Sequence, residues 1–530
     1  MSPLPQMLRR PLPPLLRPTL LGAALGLLLF LLESVLLVRA GAVGVNLDVS
    51  GPYAALMAAV RPLLLPLLSR VALAYLLGGA VLGALAGVLA GAWGRGGALA
   101  AAAQWLLLLA LLAWDRAIQR PALFDDLPAL RGVLEWLTLH AEPWQPRLAA
   151  GLWLVGHAVA LLLLRARRGA AAGALAASVG VLGGGWAAPP APAVGEAEGE
   201  RAPLVVLIGV DAFRPDRLRA LGGSGEVAPN LDAFVEEATL FTRAYTPIAQ
   251  TEPAWRSLLT ARWPHRTGVR YPLTADERIL GAPTLAQAFG AAGYRTLFAT
   301  DCSRFHYEGE ASGFATRLQP PRGAVNFLLE KLRYRALGLF ADNRLGAALL
   351  PEFIDNRALA GVHDPMGYAQ RLSAQLLSAA RAGPTLFAFH ATAAHFPGDP
   401  VYPFYRRFVS PQEPLERRVR MQFSPIGAGA RGGWSREGSE ALYDELLAQA
   451  DAQVGALLQA LRSEGRYDDA LIVLFSDHGE SFHADQPALA GATPVHGARL
   501  QDEENRVLLA VKPPRARGPA RVDALVRLID

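Results

Sequence analysis

Four short apolar runs, each closed by an acid or a histidine, constrain this chain more than any other feature. Leu204–Val210 (LVVLIGV) leads into Asp211, and residues 295–299 into Asp301. Residues 385–389 lead into His390 and His395, and residues 471–475 into Asp477-His478. Bounded runs of this length without alternation read as strands buried on both faces. Helical patterns fall between them at 231–238, 284–292, 368–380 and 440–464. That alternation predicts an α/β fold, a mostly parallel sheet flanked by helices. Loops leaving the carboxyl ends of such strands gather on one rim, where ligands bind. Asp211, Asp477 and His478 are therefore expected to meet, although no local spacing motif joins them.

Residues 248–260 (IAQTEPAWRSLLT) read as a loop entering a helix, with Pro253 at the first helical position and Leu258 and Leu259 on the buried side. Thr251 then lies just ahead of a helix N-terminus, where free N–H groups and the dipole favour an anion. Taken alone, Thr251 reads as a helix cap before a nucleophile, since Ser and Thr caps are common. Together with Asp211, Asp477 and His478 its oxygen makes a mixed O and N shell for one divalent cation. Such a cation lowers the pKa of a bound hydroxyl and neutralises charge on the reacting group.

The N-terminal part has a different texture. Arg9, Arg10 and Arg17 precede a long apolar run at 20–38, too long for an ordinary signal-peptide core and without a clear cleavage site. Further apolar stretches at 71–93, 97–114, 148–164 and 170–186 bring the expected transmembrane helices to about five, with four as the alternative. With the N-terminus inside, Arg95, Arg165, Arg167 and Arg168 also fall on the cytoplasmic side, and everything after residue 186 emerges on the outer face. Arg116, Arg120, Arg131 and Arg147 run against this bias, in a loop whose 127–139 part has the look of an interfacial helix. Glu33 is an acid within the first span, facing a neighbouring helix or merely tolerated near its end. The Pro-, Ala- and Glu-rich residues 187–203 form a linker, so the expected domains are 1–186 in the membrane and 204–530 outside.

Composition narrows the function classes. The formal charge of +5 is carried by arginine, since Lys331 and Lys512 are the only lysines. No compact basic-aromatic motif accompanies it, so nucleic acid is not an expected partner. Cys302 is the single cysteine, which excludes an intrachain disulfide framework and a cysteine-based zinc site. Arg406, Arg407, Arg417, Arg418 and Arg420 form a basic stretch suited to anionic lipid headgroups or polymer, or else a solvated charge run.

The residues also carry a resemblance. VLIGVDAFRPDRL, APNLDAFVEEATLFTRAYTP, TEPAWRSLLTARWPHRTGV, YDDALIVLFSDHGESF and PVHGARLQDEENRVLLAV follow in an order that resembles the sulfatase-like branch of the alkaline phosphatase superfamily. The resemblance implies metal ligands at Asp211, Asp477 and His478 and a nucleophile at Thr251. It implies that His395 and His496 contact the oxygens of a bound phosphate or sulfate, stabilising its charge or protonating the leaving oxygen. His390 and His483 stay unassigned.

Two departures are informative. Where sulfatases carry a Cys or Ser that becomes formylglycine in a Cys/Ser-x-Pro-x-Arg pattern, this chain has Thr251-Glu252-Pro253-Ala254-Trp255, with the arginine moved to Arg256. The paired acids that open the sulfatase pattern are reduced to Asp211-Ala212. A threonine nucleophile resembles instead the membrane phosphoethanolamine and glycerophosphate (lipoteichoic acid synthase-type) transferases and the nucleotide pyrophosphatase-type phosphodiesterases. The expectation is a membrane-anchored, metal-dependent phosphotransferase or phosphodiesterase with Arg256, His395 and His496 on the substrate. Its substrate would be a membrane lipid or an anionic surface glycan. One divalent ion is expected, zinc or manganese ahead of calcium because His478 offers nitrogen. A sulfuric ester hydrolase is the alternative, and an inactive sensor or scaffold a further one, prompted by a C-terminal part shorter than such domains usually have.

Overall fold

The computed structural model describes residues 16–39, 52–91, 98–163 and 202–530, apart from 272–280, most of 322–354, 420–435, 483–493 and a few single positions. The candidate span at 170–186 and nearly all of the 187–203 linker lie outside the described residues. The chain forms two compact units: Met1–Gln119, Trp136–Ala187 and Leu328–Ile354 in the first, and Arg120–Glu135, Ala188–Phe327 and Asp355–Asp530 in the second.

The first unit is helical: α1 (Leu16–Arg39), α2 (Pro52–Gly91), α3 (Ala98–Gln119), α4 (Arg131–His140, which begins in the second unit) and α5 (Trp144–Leu163). Among the described residues, Leu16–Leu37 and Leu65–Gly87 are long and apolar enough to cross a membrane. That is two such helices where the sequence suggests about five. α3 and α5 do coincide with expected spans, but α3 carries Asp115 and Arg116 near its C-terminal end, and Asp115 pairs with Arg147 of α5 at 3.2 Å. Within 127–139 the structure has the helix α4, with Val133 and Trp136 exposed and Leu134 and Leu137 buried.

α1 and α2 meet through glycine. A Cβ on Gly22 would stand 2.2 Å from the Gly79 carbonyl oxygen, and one on Gly79 2.4 Å from the Gly22 oxygen. Gly26 and Gly83 continue the seam, so the two backbones touch in the small-residue manner of packed apolar helices. Glu33 faces this neighbour, as one reading of the sequence had it. It is buried and accepts hydrogen bonds from the Tyr75 hydroxyl of α2 and, at 3.2 Å, from the Ala336 N–H. Its charge or proton is therefore matched within the unit rather than exposed to hydrocarbon.

In the second unit β1 (Leu204–Val210) lies mid-sheet. Around it are β2 (Thr239–Tyr245), β3 (Arg295–Thr300), β4 (Thr316–Leu318), β5 (Thr385–Ala391) and β6 (Leu471–Ser476). A small hairpin, β7 (Ser481–Phe482) with β8 (Pro494–Val495), stands apart, and β9 (Arg506–Val507), β10 (Leu509–Lys512) and β11 (Ala520–Arg527) follow. The order is β11-β2-β10-β6-β1-β5-β3-β4, with β9 on β2. Pairings β6-β1-β5-β3-β4 are all parallel, whereas β10 runs antiparallel to both β2 and β6. The sheet is mixed α/β, mostly parallel as the four apolar runs imply.

Both faces of β1 are covered. Val206, Ile208 and Val210 pack with Leu372 and Leu376 of helix Pro365–Ala382 and with Leu446 and Val454 of helix Arg436–Ser463. Val205 and Leu207 pack on the opposite face with Trp255, Leu259, Phe298 and Phe475. A Gly79→Leu substitution is expected to drive α1 and α2 apart and to lower stability by about 1–3 kcal/mol. Thermal unfolding of the full chain in detergent reads this as a lowered midpoint.

Candidate active site

β1 and β6 are neighbours in parallel register, so the residues after them, Asp211 and Asp477, emerge side by side at the carboxyl rim. The turn after β1 is sharp, with Ala212 at φ 56°, and the Tyr443 hydroxyl holds it by donating to the Ala212 carbonyl (2.6 Å) and accepting from the Arg214 N–H (3.0 Å). The N–H groups of Ala212 (3.2 Å) and His478 (2.9 Å) both donate to Asp477 Oδ1, which leaves Oδ2 facing the site.

Thr251 opens the helix Thr251–Thr260, and Gln250 is its cap residue, without a side-chain cap bond. The helix therefore starts two residues earlier than the position of Pro253 suggests, because the first turn leaves its N–H groups unbonded anyway and accepts proline there. Thr251 is not a cap. Its Oγ1 is buried 3.2 Å from His478 Nε2. His478 Nδ1 lies 2.8 Å from the Gly479 carbonyl oxygen, a pure acceptor, so Nδ1 carries the proton and Nε2 turns a lone pair to the site. That lone pair stands 3.5 Å from Asp211 Oδ1 and 3.8 Å from Asp477 Oδ2.

A third strand adds a residue that the sequence leaves unassigned. His390, in β5, approaches Asp211 Oδ2 at 3.2 Å and Asp477 Oδ2 at 3.8 Å through Nε2. Asp211, His390 and Asp477 offer ligand atoms that all lie within 4.8 Å of one another, with every residue buried. Asp211 Oδ1, Asp477 Oδ2 and His390 Nε2 lack hydrogen-bond partners among the described residues. Burial raises the Asp211 carboxyl well above its ordinary range, and the Asp477 charge adds to that. Burial likewise pushes His390 down to about 4. Orphaned acceptors converging in a dry place fit a divalent cation, and Asp211, Asp477, His478 and Thr251, with His390, are the groups that would hold it.

The other expected residues divide. His496 accompanies the cluster, its ring stacked on His478 at 4.1 Å between centroids, and its Nδ1 lies 3.1 Å from Glu480 Oε2. Burial opposes its charge, but Glu480, then Asp211 and Asp477, override this and push it up to about 9. His395 sits 5.3 Å from His496 between ring centroids and holds its Nδ1 2.6 Å from the Phe396 oxygen, which leaves Nε2 as an acceptor. Burial, then the His496 charge, keeps it well below its ordinary pKa, hence neutral. The Arg256 guanidinium pairs with buried Glu308 at 3.4 Å.

Asp301, which follows β3, does not join the cluster's ligand atoms. It accepts from Thr392 and pairs with His363 at 3.0 Å, and with Arg357, whose guanidinium donates to the Thr392, Ala393 and His395 carbonyls, it straps down the loop carrying His395. The basic stretch is engaged locally. Arg406 lies over Tyr402 and Tyr405, Arg407 donates to the Glu226 carbonyl, Arg417 pairs with Glu413, and Arg418 donates to the Glu413 carbonyl. Arg420 and His483 lie outside the described residues.

A mostly parallel α/β sheet thus gathers acids and histidines at its carboxyl rim beside one helix-borne hydroxyl, a donor set able to hold a divalent cation. The family model described as Sulfatase matches residues 203–505, more than half of the chain, and the chain belongs to the sulfatase family of the alkaline phosphatase superfamily. It is 26 % identical over 322 residues to the ulvan-active sulfatase of Formosa agariphila, covering 59 % of this chain and 56 % of that one. It is 24 % identical over 310 residues to arylsulfatase A of Homo sapiens, covering 53 % and 52 %. The chain thus spans about half the length of the curated relatives it matches. Among solved structures it is similar to the phosphonate monoester hydrolase of Agrobacterium radiobacter, with a TM-score of 0.42 and 21 % identity, over 62 % of this chain and 72 % of that one.

Gly209 of β1 sits where Trp255 of the Thr251 helix presses on the sheet: a Cβ there would stand 2.4 Å from Trp255 Cζ2 and 2.9 Å from Phe475 Cζ. Gly209→Ala is expected to cost about 1–3 kcal/mol of stability by overpacking. A lowered midpoint in detergent checks it, and an unchanged one would show that Trp255 yields freely.

Proposed function

We propose that this protein is a membrane-anchored, metal-dependent phosphotransferase or phosphodiesterase that works through a covalent intermediate on Thr251. The observation carrying this reading is the approach of Thr251 Oγ1 to His478 Nε2 beside the two buried carboxylates. A divalent ion held there, zinc or manganese given the nitrogen donors, would acidify the Thr251 hydroxyl and screen charge on the transferring group.

The chain's own residues then supply the rest. The Thr251 oxygen, its hydroxyl proton already released to solvent and not regained within the cycle, forms a bond to phosphorus as the bond to the leaving oxygen breaks, and His496, charged through its contact with Glu480, gives that leaving oxygen a proton. In the second half the incoming hydroxyl of water or an acceptor gives its proton back to His496 and attacks the phosphothreonine, which frees Thr251. His395, neutral with Nε2 as acceptor, fits orienting that incoming hydroxyl. In this reading Arg256 supports the site through Glu308 instead of touching substrate.

Threonine at the nucleophile position favours phosphoryl transfer over sulfate-ester hydrolysis, because formylglycine is not made from threonine by the usual route. Sulfuric ester hydrolysis is retained as the second reading because the family match and the curated relatives are sulfatases. The two apolar helices support membrane attachment. The fuller reading has about five spans at 1–186, a 187–203 linker, and a 204–530 catalytic domain on the outer face acting on lipid-linked or surface phosphoesters.

Thr251→Ala is expected to reduce turnover of an aryl phosphodiester by at least about a thousandfold, the scale on which removal of a nucleophile acts. Chelator treatment of the wild type is expected to do the same, reversed by added zinc or manganese. Mass spectrometry after brief substrate exposure is expected to find the phosphate on Thr251. Undiminished turnover in either preparation contradicts the proposal, and faster turnover of an aryl sulfate than of the phosphodiester favours the sulfatase reading.

A further inference from the structure

Beneath the acid cluster runs a line of buried polar groups that the chemistry above does not use. His390 Nδ1, on the side of the ring away from Asp211, lies 3.3 Å from His306 Nδ1. His306 Nε2 lies 2.8 Å from Glu308 Oε1, and the other Glu308 oxygen faces Arg256 at 3.4 Å. His306, Glu308 and His390 are each almost fully buried. Trp255 fixes the planes of both imidazoles, stacking on His306 at 4.8 Å between centroids and meeting His390 at 5.0 Å.

One proton arrangement satisfies this line with neutral imidazoles. A carboxylate paired with a guanidinium is an acceptor only, so the His306 nitrogen facing it must carry a proton. His306 Nδ1 is then the bare nitrogen and accepts, which requires the proton of His390 to sit on Nδ1. What remains on His390 is a lone pair at Nε2, directed at Asp211 and Asp477. Two carboxylates and a nitrogen lone pair repel one another unless a proton or a metal cation lies among them, and a divalent cation meets all three at once.

We propose that Glu308 and His306 are positioning residues of the cation site, which fix the tautomer of His390 and aim its Nε2 between Asp211 and Asp477. The inference rests on reading the acid cluster as a cation site with His390 among its ligands, and it adds the groups that orient His390. The relay is anchored by the nucleophile helix itself, since Arg256 holds Glu308 and Trp255 packs on both rings. Carboxylate–histidine support of this kind raises ligand basicity and fixes ring orientation.

The test uses the full chain in detergent, stripped of metal, with Zn²⁺ alone as the probe against a competing chelator. Glu308→Gln and His306→Phe are each expected to weaken zinc binding by about 10–100-fold. Each is also expected to change the ligand-field absorption of the Co²⁺-loaded protein, which a merely structural role would leave alone. Should His306→Phe fail to fold, Glu308→Gln, nearly isosteric, carries the test. Wild-type zinc affinity and cobalt spectrum in Glu308→Gln overturn the inference, even with a lowered metal-free unfolding midpoint, and leave the proposed function standing. A wild-type protein that takes up no Zn²⁺ overturns both.

Discussion

Two carboxylates forced together away from water organise this protein. Asp211 and Asp477 reach the same rim because β1 and β6 pair in parallel, and each is buried. Left alone they repel, and burial multiplies the effect because little solvent screens them. Their surroundings supply further acceptors, the lone pair of His478 and the oxygen of Thr251, where a structural acid would be met by donors. Donors do appear, but only behind the carboxylate that must be held in place, as the two backbone N–H groups on Asp477 Oδ1 illustrate. The arrangement keeps one side of the cluster rigid and the other side electron-rich.

The same logic explains the packing around it. The Thr251 helix is pinned to the sheet by Trp255, whose indole occupies the space left by Gly209. One turn separates Thr251 from Trp255 and Arg256, so one element delivers the hydroxyl to the cluster and braces the His306–His390 pair from below. Asp301 and Arg357 do comparable work for His395, fastening its loop through backbone carbonyls. The polar groups of these supports are paired with one another, whereas Asp211 Oδ1, Asp477 Oδ2 and His390 Nε2 keep unpaired atoms toward the cluster.

How much of this could be read from the sequence follows from which signals are local. The strands at 204–210, 295–300, 385–391 and 471–476 announce themselves, since a strand covered on both faces must be continuously apolar. Asp211, Asp477 and His478 follow from their positions at strand ends. His390 also ends a strand but carries no mark of its role until its neighbours are seen in space. His306 and Glu308 were illegible, as they lie in an irregular segment after β3 and reach His390 only through tertiary folding. Arg256 is legible as the displaced arginine of the sulfatase pattern, but its pairing with Glu308 is not, because Glu308 reaches it only through tertiary folding. The antiparallel β10 broke the parallel pattern without any sequence cue, being only four residues long. In the first unit, hydropathy located the helices, but the glycine seam between α1 and α2 depends on which faces meet.

The central claim is that the acceptors around Thr251 exist to hold a cation. X-ray absorption at the metal edge of the zinc- or manganese-loaded full chain tests it most directly. The expected spectrum has a mixed shell of oxygen and nitrogen at roughly 2.0–2.2 Å with the outer scattering of imidazole rings, weakened in Asp477→Asn. A shell of oxygen alone, or one unchanged by Asp477→Asn, would contradict it.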